Sequence, residues 1–250
     1  MRVLLIAAAG MSSRFERSLG RPCLKCLYYE RSFSESLLSR MLRLGGDFDR
    51  CILVGGWRFP ELREAVERHF PDRLDRIVMV ENREYARYGT GWSLFLGLRK
   101  ALELGAQEVV LAEGDLFVDR ESFERAARSG RDVITSSREP VLARSSVAFY
   151  YDMQGKIHYL YDPEHRALEI SGPFLGIFSS GQVWKFASPR RLRQVWDGMS
   201  PSDWQGTNLV FAERYFQGLA PEEYENISFE AWVNCNTVQD FRRGQKLCLL

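Results

Sequence analysis

Two cationic side chains and one carboxylate are placed where they could bind a phosphorylated ligand. The apolar run at residues 3–9 predicts a buried strand, and the loop of small residues after it carries Arg14, with Lys25 close behind. Small residues let backbone N–H groups approach an anion, and the two cations can neutralise a polyphosphate. Asp115 follows another predicted strand, 108–112, at the sheet edge where open α/β folds bind ligands. This arrangement predicts a site for a nucleoside triphosphate.

The segments that would carry these residues alternate between strand and helix. Further buried strands are predicted from apolar runs at 51–54, 77–80 and 132–135. Amphipathic helices are predicted at 34–44, 60–70 and from Ser93 onward. Such alternation favours a mostly parallel sheet with right-handed crossovers, so we expect an α/β fold, a Rossmann-like three-layer α/β/α sandwich.

The C-terminal half has a different pattern, rich in aromatic residues and short strands. Strands are predicted at 147–151, 157–161 and 168–178, and the first two would be joined by a hairpin turn. Helices are predicted at 189–196 and 207–216, before a closing strand and helix within 231–250. We therefore expect a small β-rich lobe inserted in this half of the chain.

The loop after the first strand also carries a recognisable signature. Ala8-Ala9-Gly10-Met11-Ser12-Ser13-Arg14, followed by Lys25, resembles the AAGxGSR…PK signature of nucleotidyltransferases that join an NTP to a phosphorylated small molecule. Two positions depart from it, because Ser12 stands where that family usually has Gly and Leu24 where it usually has Pro. The resemblance extends over almost the whole chain and includes Gly114-Asp115 and the closing segment 234–241.

This resemblance implies roles for individual residues. Arg14 would bind the leaving β,γ-phosphates and Lys25 would contact the α-phosphate, so these two are the expected catalytic residues. Asp115 and Asn236 would be the ligands of Mg²⁺. The expected nucleotide-binding residues lie in two turns of small residues: Ala8, Ala9, Gly10, Met11, Ser12, Ser13, Gly89, Thr90, Gly91 and Ser93.

The closing segment differs from many members of the resembled family in one position. Asn236 stands where many of them have an acidic metal ligand. Its amide oxygen can still bind Mg²⁺ but brings no charge, so a lower metal affinity is expected. Asp240 is expected to begin or cap the terminal helix rather than to bind metal.

The reaction implied by the resemblance is attack of an acceptor phosphate or phosphonate oxygen on the α-phosphorus of an NTP, with release of pyrophosphate. An ionised acceptor needs no general base, which agrees with a chain of only three histidines. Within the family the chain is most similar to the CTP:phosphocholine cytidylyltransferases and enzymes for other small phospho-acceptors, so CTP is the expected nucleotide. The expected organisation is one domain, 1–250, with a nucleotide-binding core (1–135), an acceptor-binding lobe with helices (136–230) and closing elements (231–250).

Composition limits the partners and the compartment. The formal net charge is +1 with both signs interspersed, so no charged face favours nucleic acid or a membrane surface. Cleavage of the first apolar run as a signal peptide would remove the small-residue loop, so a cytoplasmic protein is expected, as a monomer or homodimer. The five cysteines are expected to be reduced thiols, because Cys23 and Cys26 have no second pair to complete a zinc site.

Three alternatives to a cytidylyltransferase remain open at this stage. The first is a sugar-1-phosphate nucleotidyltransferase that uses UTP or another NTP. The second is a glycosyltransferase, which would be expected to carry a D-x-D motif where this chain has Glu113-Gly114-Asp115. The third is a nucleotide-binding regulatory protein with impaired catalysis, a possibility raised by Ser12 and Asn236.

Overall fold

The computed structural model describes residues 1–143, 146–162, 164 and 166–247. The strands are β1 (Arg2–Ala8), β2 (Arg50–Gly55), β3 (Ile77–Glu81), β4 (Glu108–Glu113), β5 (Leu116–Val118), β6 (Asp132–Ser137), β7 (Ala148–Asp152), β8 (Ile157–Leu160), β9 (Phe174–Phe186), β10 (Tyr224–Phe229) and β11 (Trp232–Asn234). The helices are α1 (Ser13–Leu19), α2 (Leu37–Leu44), α3 (Phe59–His69), α4 (Thr90–Glu103), α5 (Arg120–Arg128), α6 (Pro189–Asp197), α7 (Pro201–Gln205), α8 (Leu209–Gln217) and α9 (Val238–Leu247).

The main sheet has the order β3-β2-β1-β4-β9-β6-β10. Strands β1 to β4 form a parallel group, in which β1 pairs with β2 and β4, and β2 pairs with β3. Strand β6 is parallel to β10. Strand β9 runs antiparallel between β4 and β6 and also pairs with β7 outside this path. Strands β5 and β11 form a separate two-stranded ribbon. The expected α/β fold with a mostly parallel sheet is confirmed.

Helices cover both faces of this sheet. On β1, Leu4 and Ile6 pack with the cluster that includes α2, α3, α5 and α9, whereas Val3 and Leu5 pack with α4, α6, α7 and α8. Because both faces of the strand are buried, its sequence is continuously apolar rather than alternating. This explains why β1, β2 and β4 could be predicted from their apolar runs.

The prediction of a strand at 168–178 is wrong at both ends. Strand β9 begins at Phe174 and continues to Phe186, so that its second half lies in the main sheet. The polar residues 179–182 interrupt the apolar pattern there, although they are buried. The β-rich lobe therefore consists of β7, β8 and the first part of β9, while β10 joins the main sheet. The division into 1–135, 136–230 and 231–250 stays a prediction.

A buried ion network holds the amino-terminal ends of β1 and β4, at the edge opposite the carboxyl ends. The Lys185 ammonium, only 3% exposed, lies 2.8 Å from Glu108 Oε2 and donates to the Ser129 carbonyl at 2.6 Å. Arg2 pairs with the other oxygen of Glu108. Burial alone would raise the pKa of Glu108, but the hydrogen bonds from Lys185 and Arg2 outweigh it and hold the pKa below its ordinary value.

This network gives a prediction about the stability of the fold. Glu108→Ala leaves the Lys185 ammonium buried without its carboxylate, so the free energy of unfolding should fall by ~3 kcal/mol in urea denaturation. Glu103→Ala is the control, because its pair with Lys100 is exposed and should contribute at most ~1 kcal/mol. The wild type should lose the Glu108 contribution as the pH falls through its lowered pKa. Equal losses in the two variants at neutral pH would contradict the assignment.

Candidate active site

A cavity of about 210 Å³ opens at the carboxyl ends of β1 and β4, beside the turn after β3. Nine of the residues predicted from the sequence line it: Ala8, Ala9, Gly10, Ser12, Lys25, Gly89, Thr90, Ser93 and Asp115. Five predicted residues are not among the described residues that line it: Met11, Ser13, Arg14, Gly91 and Asn236. The two turns of small residues and the carboxylate thus meet at one place, as expected for a ligand site at this edge of the sheet.

Lys25 and Asp115 are in direct contact within the cavity. The Lys25 Nζ lies 2.5 Å from Asp115 Oδ2, and the two side chains are 18% and 20% exposed. The other carboxylate oxygen, Oδ1, is buried and accepts no hydrogen bond from the described residues. A buried carboxylate oxygen without a partner is costly unless a ligand supplies one.

The backbone of the loop accounts for both departures from the resembled signature. Ser12 has φ 57, in the left-handed region that glycine adopts without strain. Its hydroxyl oxygen accepts a hydrogen bond of 3.1 Å from the Lys25 backbone N–H, so the side chain connects the loop to the segment that carries Lys25. Leu24 has φ −73, the value to which a proline ring is restricted, and its side chain is buried. The substituted residues therefore keep the geometry of the loop.

The remaining residues of this loop do not line the cavity. Met11, Ser13 and Arg14 are exposed, and Arg14 belongs to the short helix α1. In the described part of the chain, Arg14 makes no hydrogen bond or ion pair, so its guanidinium has no contact that fixes it. The binding role of Arg14 stays a prediction.

The turn 89–91 is held by the connection between α7 and α8. The backbone N–H groups of Gly89 and Gly91 donate to the carbonyls of Gln205 and Gly206, at 2.8 and 3.0 Å. A Cβ atom at Gly89 would overlap the Gly206 carbonyl oxygen. These glycines are therefore required for close packing within the protein. Thr90 and Ser93 also line the cavity.

A buried asparagine that sequence reasoning missed joins this turn to β4. Asn208 accepts a 3.0 Å hydrogen bond from the Thr90 hydroxyl, and its own backbone N–H donates back to that hydroxyl. The Asn208 amide also donates to Glu113 Oε1 at 2.5 Å. No local pattern indicates such a contact, because Asn208 is distant in sequence from both partners.

Glu113 gives the cavity an unusual charge state. Burial and the neighbouring charge of Asp115 raise the pKa of Glu113 to about 8. Glu113 is therefore mostly protonated at neutral pH, while Asp115 pairs with Lys25. On the opposite side, Asn82 donates a 2.9 Å hydrogen bond to the Ser93 hydroxyl oxygen, which leaves the Ser93 O–H available to a ligand.

The closing segment runs beside Asp115. The backbone N–H of Cys235 donates to the Asp115 carbonyl at 2.8 Å. The Asn236 amide donates to Asn234 Oδ1 at 2.9 Å, and its own oxygen accepts no hydrogen bond among the described residues. Asp240 Oδ2 accepts from the backbone N–H groups of Asn236 and Thr237 at the start of α9, so the expected capping role of Asp240 is confirmed.

The oxygen donors at this edge fit Mg²⁺ better than a soft metal. The buried Asp115 Oδ1 has no partner, and the Asn236 amide oxygen is free on the neighbouring strand end. Mg²⁺ is typically held by one or two carboxylates together with substrate phosphates and water. No group of three or more His, Cys, Asp or Glu side chains suited to a metal occurs within the residues described.

The cysteines of the described chain are unpaired thiols. Cys23, Cys26, Cys51 and Cys235 are free, and burial raises the pKa of Cys26 to about 12. Cys248 lies outside the described residues.

Within the part of the chain that is described, none of the helices combines the length and apolar character that crossing a bilayer requires.

Two solved structures share this architecture along nearly their whole length. The inositol-1-phosphate CTP transferase from T. maritima is 14% identical, with a TM-score of 0.67, and the match covers 98% of this chain and 95% of that one. The CTP:phosphocholine cytidylyltransferase from Streptococcus pneumoniae is 13% identical, with a TM-score of 0.64, and the match covers 98% and 99%. The chain therefore has the nucleotidyltransferase fold.

The sequence comparisons assign the family. The family model described as "Domain of unknown function (DUF6564)" matches residues 21–248, and the chain belongs to this family. No curated protein matches the chain at the level of sequence.

The raised pKa of Glu113 predicts how stability depends on pH. Between the ordinary pKa of 4.5 and about 8, the folded protein keeps a proton that the unfolded chain releases. The free energy of unfolding of the wild type should therefore fall with rising pH, relative to Glu113→Gln, whose amide stays neutral. Denaturation of both proteins between pH ~5 and ~8 measures the difference. Glu121→Gln, at an exposed position, is the control, and its stability difference from the wild type should not change with pH. If the stability difference between Glu113→Gln and the wild type is equally independent of pH, the raised pKa of Glu113 is contradicted.

Proposed function

We propose that this chain is a Mg²⁺-dependent nucleotidyltransferase that transfers the cytidylyl group of CTP to a small phosphate or phosphonate acceptor and releases pyrophosphate. The observation that carries the proposal is the meeting of Lys25 and Asp115 in one cavity between the two turns of small residues. Its fold is also that of two enzymes whose names describe transfer from CTP to inositol 1-phosphate and to phosphocholine. A shared fold does not define a substrate, so the nucleotide and the acceptor are both part of the proposal.

The proposed reaction joins an acceptor oxygen to the α-phosphorus of CTP. The bond between the α-phosphorus and its bridging oxygen breaks, and that electron pair leaves with pyrophosphate. Both reactants are anions, so catalysis depends on alignment and on neutralising charge around the phosphorus. The acceptor phosphate is already ionised, so no proton has to be removed from it.

Each charged residue has one task in this proposal. Lys25 gives up its contact with Asp115 and binds an α-phosphate oxygen, where its ammonium neutralises developing charge. Asp115 and Asn236 would hold Mg²⁺, which supplies further charge neutralisation at the phosphates when it is bound. Arg14 binds the leaving β,γ-phosphates, and its exposed guanidinium is free to turn towards them because no contact among the described residues fixes it.

One alternative is favoured by a specific observation. Arg14 and Asn236 do not line the cavity, as would be expected of a protein that binds a nucleotide without turning it over. That alternative predicts CTP binding in calorimetry with no pyrophosphate release for any acceptor. A sugar-1-phosphate nucleotidyltransferase that uses UTP would instead release pyrophosphate when UTP and a sugar 1-phosphate are supplied together.

The reaction can be tested by measuring pyrophosphate release. Four NTPs are crossed with phosphocholine, aminoethylphosphonate and several sugar 1-phosphates in the presence of Mg²⁺, and release is expected for CTP with a small phospho-acceptor. Lys25→Met and Asp115→Asn should each lower kcat by about 100-fold or more, because the first removes the positive charge at the α-phosphate and the second removes the charged ligand proposed for Mg²⁺. Lys100→Met, exposed on α4, is the control and should be fully active. Wild-type activity in Lys25→Met would refute its catalytic role.

The nucleotide cradle can be tested at Gly10. An added Cβ at this position meets no atom within 4 Å, so Gly10→Ala should unfold at the wild-type denaturant concentration. In the complex the same methyl group would stand between the backbone and the phosphates, so CTP affinity should fall by about tenfold, or ~1.4 kcal/mol. Gly46→Ala is a matched control, because its Cβ also has open space but lies outside the cavity. Unchanged CTP affinity in Gly10→Ala would exclude the loop as a phosphate cradle.

A further inference from the structure

Gln182 has a backbone conformation that is strained for its residue type. It lies inside the long strand β9 with φ 55, in the left-handed region, and it is 8% exposed. Glycine adopts this conformation freely, whereas a residue with a Cβ atom does so at a cost. Buried residues in such conformations persist only where the surrounding structure imposes them, and they are concentrated at functional sites.

The strain belongs to a bulge that the surrounding residues hold firmly. Strand β9 pairs Trp184 with Ile134 and then Ser180 with Ser136, so it carries extra residues opposite Thr135. The Thr135 hydroxyl donates to the Val183 carbonyl at 2.7 Å and accepts from the Val183 N–H at 3.2 Å. These side-chain bonds replace the lost ladder bonds and fix the bulge in place.

The neighbouring residues satisfy the remaining polar groups of the bulge. The Trp232 indole N–H donates to the Gly181 carbonyl at 2.8 Å, and the Gln182 N–H donates to the Ser180 hydroxyl at 3.2 Å. The bulge is thus well ordered, and its main consequence is the direction in which the Gln182 side chain points.

That side chain begins a chain of three amides that ends beside Asp115. Asn234 donates from Nδ2 to Gln182 Oε1 at 3.3 Å, and Asn236 donates from Nδ2 to Asn234 Oδ1 at 2.9 Å. Asn234 and Asn236 therefore each donate from the NH₂ group to the preceding amide. The Asn236 side-chain oxygen has no hydrogen-bond partner in the described part of the chain. Asn236 follows Cys235, whose backbone N–H donates to the Asp115 carbonyl.

We infer that Gln182 is a positioning residue: through Asn234 it holds the Asn236 amide with its NH₂ group turned inward and its oxygen available to the cation bound by Asp115. The inference rests on the proposed function, because it concerns the same cation. An amide in the opposite orientation would present hydrogen atoms to a cation, so fixing the orientation matters more for Asn236 than for a carboxylate.

The variant Gln182→Gly separates this role from a structural one. Glycine keeps the left-handed backbone without strain but removes the whole side chain, so the relieved strain offsets the lost hydrogen bond from Asn234 and the variant should stay close to the wild type in stability in urea. The Mg²⁺ concentration for half-maximal pyrophosphate release should rise about tenfold, with kcat recovered at high Mg²⁺. Mn²⁺ binding to the protein, followed by electron paramagnetic resonance, should weaken by the same factor and gives a readout without catalysis.

Two further variants keep the test decisive. Gln182→Ala should weaken cation binding equally but also lower stability, because alanine retains the strain without the amide. Gln154→Gly, in the exposed β7–β8 turn, is the matched control and should leave cation binding unchanged. If Gln182→Gly does not fold, Asn234→Ala takes its place and should show the same loss of cation affinity.

The outcomes distinguish this inference from the proposed function. A wild type that releases no pyrophosphate in any arm contradicts the proposed reaction itself. An active wild type whose Mn²⁺ and Mg²⁺ affinities are unchanged in Gln182→Gly, or in Asn234→Ala where that variant is used, overturns the positioning role alone. Weaker cation binding in a variant of undiminished stability supports it.

Discussion

The ion pair between Lys25 and Asp115 is the interaction around which the site is built, and the sheet is what makes it possible. Strands β1 and β4 are adjacent and parallel, with Ala7 opposite Glu113. The Gly114 N–H then donates to the Ala7 carbonyl at 2.7 Å, and a Cβ on Gly114 would lie 2.8 Å from that oxygen. This close approach brings Asp115 beside the loop that returns to Lys25. Any change of register between the two strands would separate the charges.

The parts of this site that could be predicted from the sequence are those that directly follow buried strands. Ala8 to Ser12 and Asp115 come immediately after apolar runs that are buried on both faces, so their place at the carboxyl edge follows from the fold class. Asn208 and Gln182 could not be predicted, because their roles depend on contacts between distant segments. The protonation of Glu113 also depends on burial that only the folded chain produces.

Strand β9 illustrates why the second half was harder to predict. Its residues 179–182 are polar and include a glycine, a composition typical of a loop. In the structure they are buried, with Ser179 and Ser180 paired to β6, and the Thr135 side chain satisfies backbone groups that the bulge leaves unpaired. The local pattern indicates an end of the strand, whereas the tertiary contacts continue it. A bulge inside a buried strand is therefore predicted as a break when only local composition is considered.

The charges that line the cavity also limit what can bind there. Lys25 and Asp115 neutralise each other, and the protonated Glu113 adds no charge at neutral pH. A triphosphate brings several negative charges into this nearly neutral cavity, so Lys25 alone cannot balance them once it has left Asp115. Additional positive charge has to come from outside the lining, and the two sources consistent with the site are a divalent cation on the vacated Asp115 carboxylate and the unconstrained guanidinium of Arg14. Under the proposed function, the contact between Lys25 and Asp115 would be the resting state of a site that becomes electrostatically complete only when nucleotide and cation are bound.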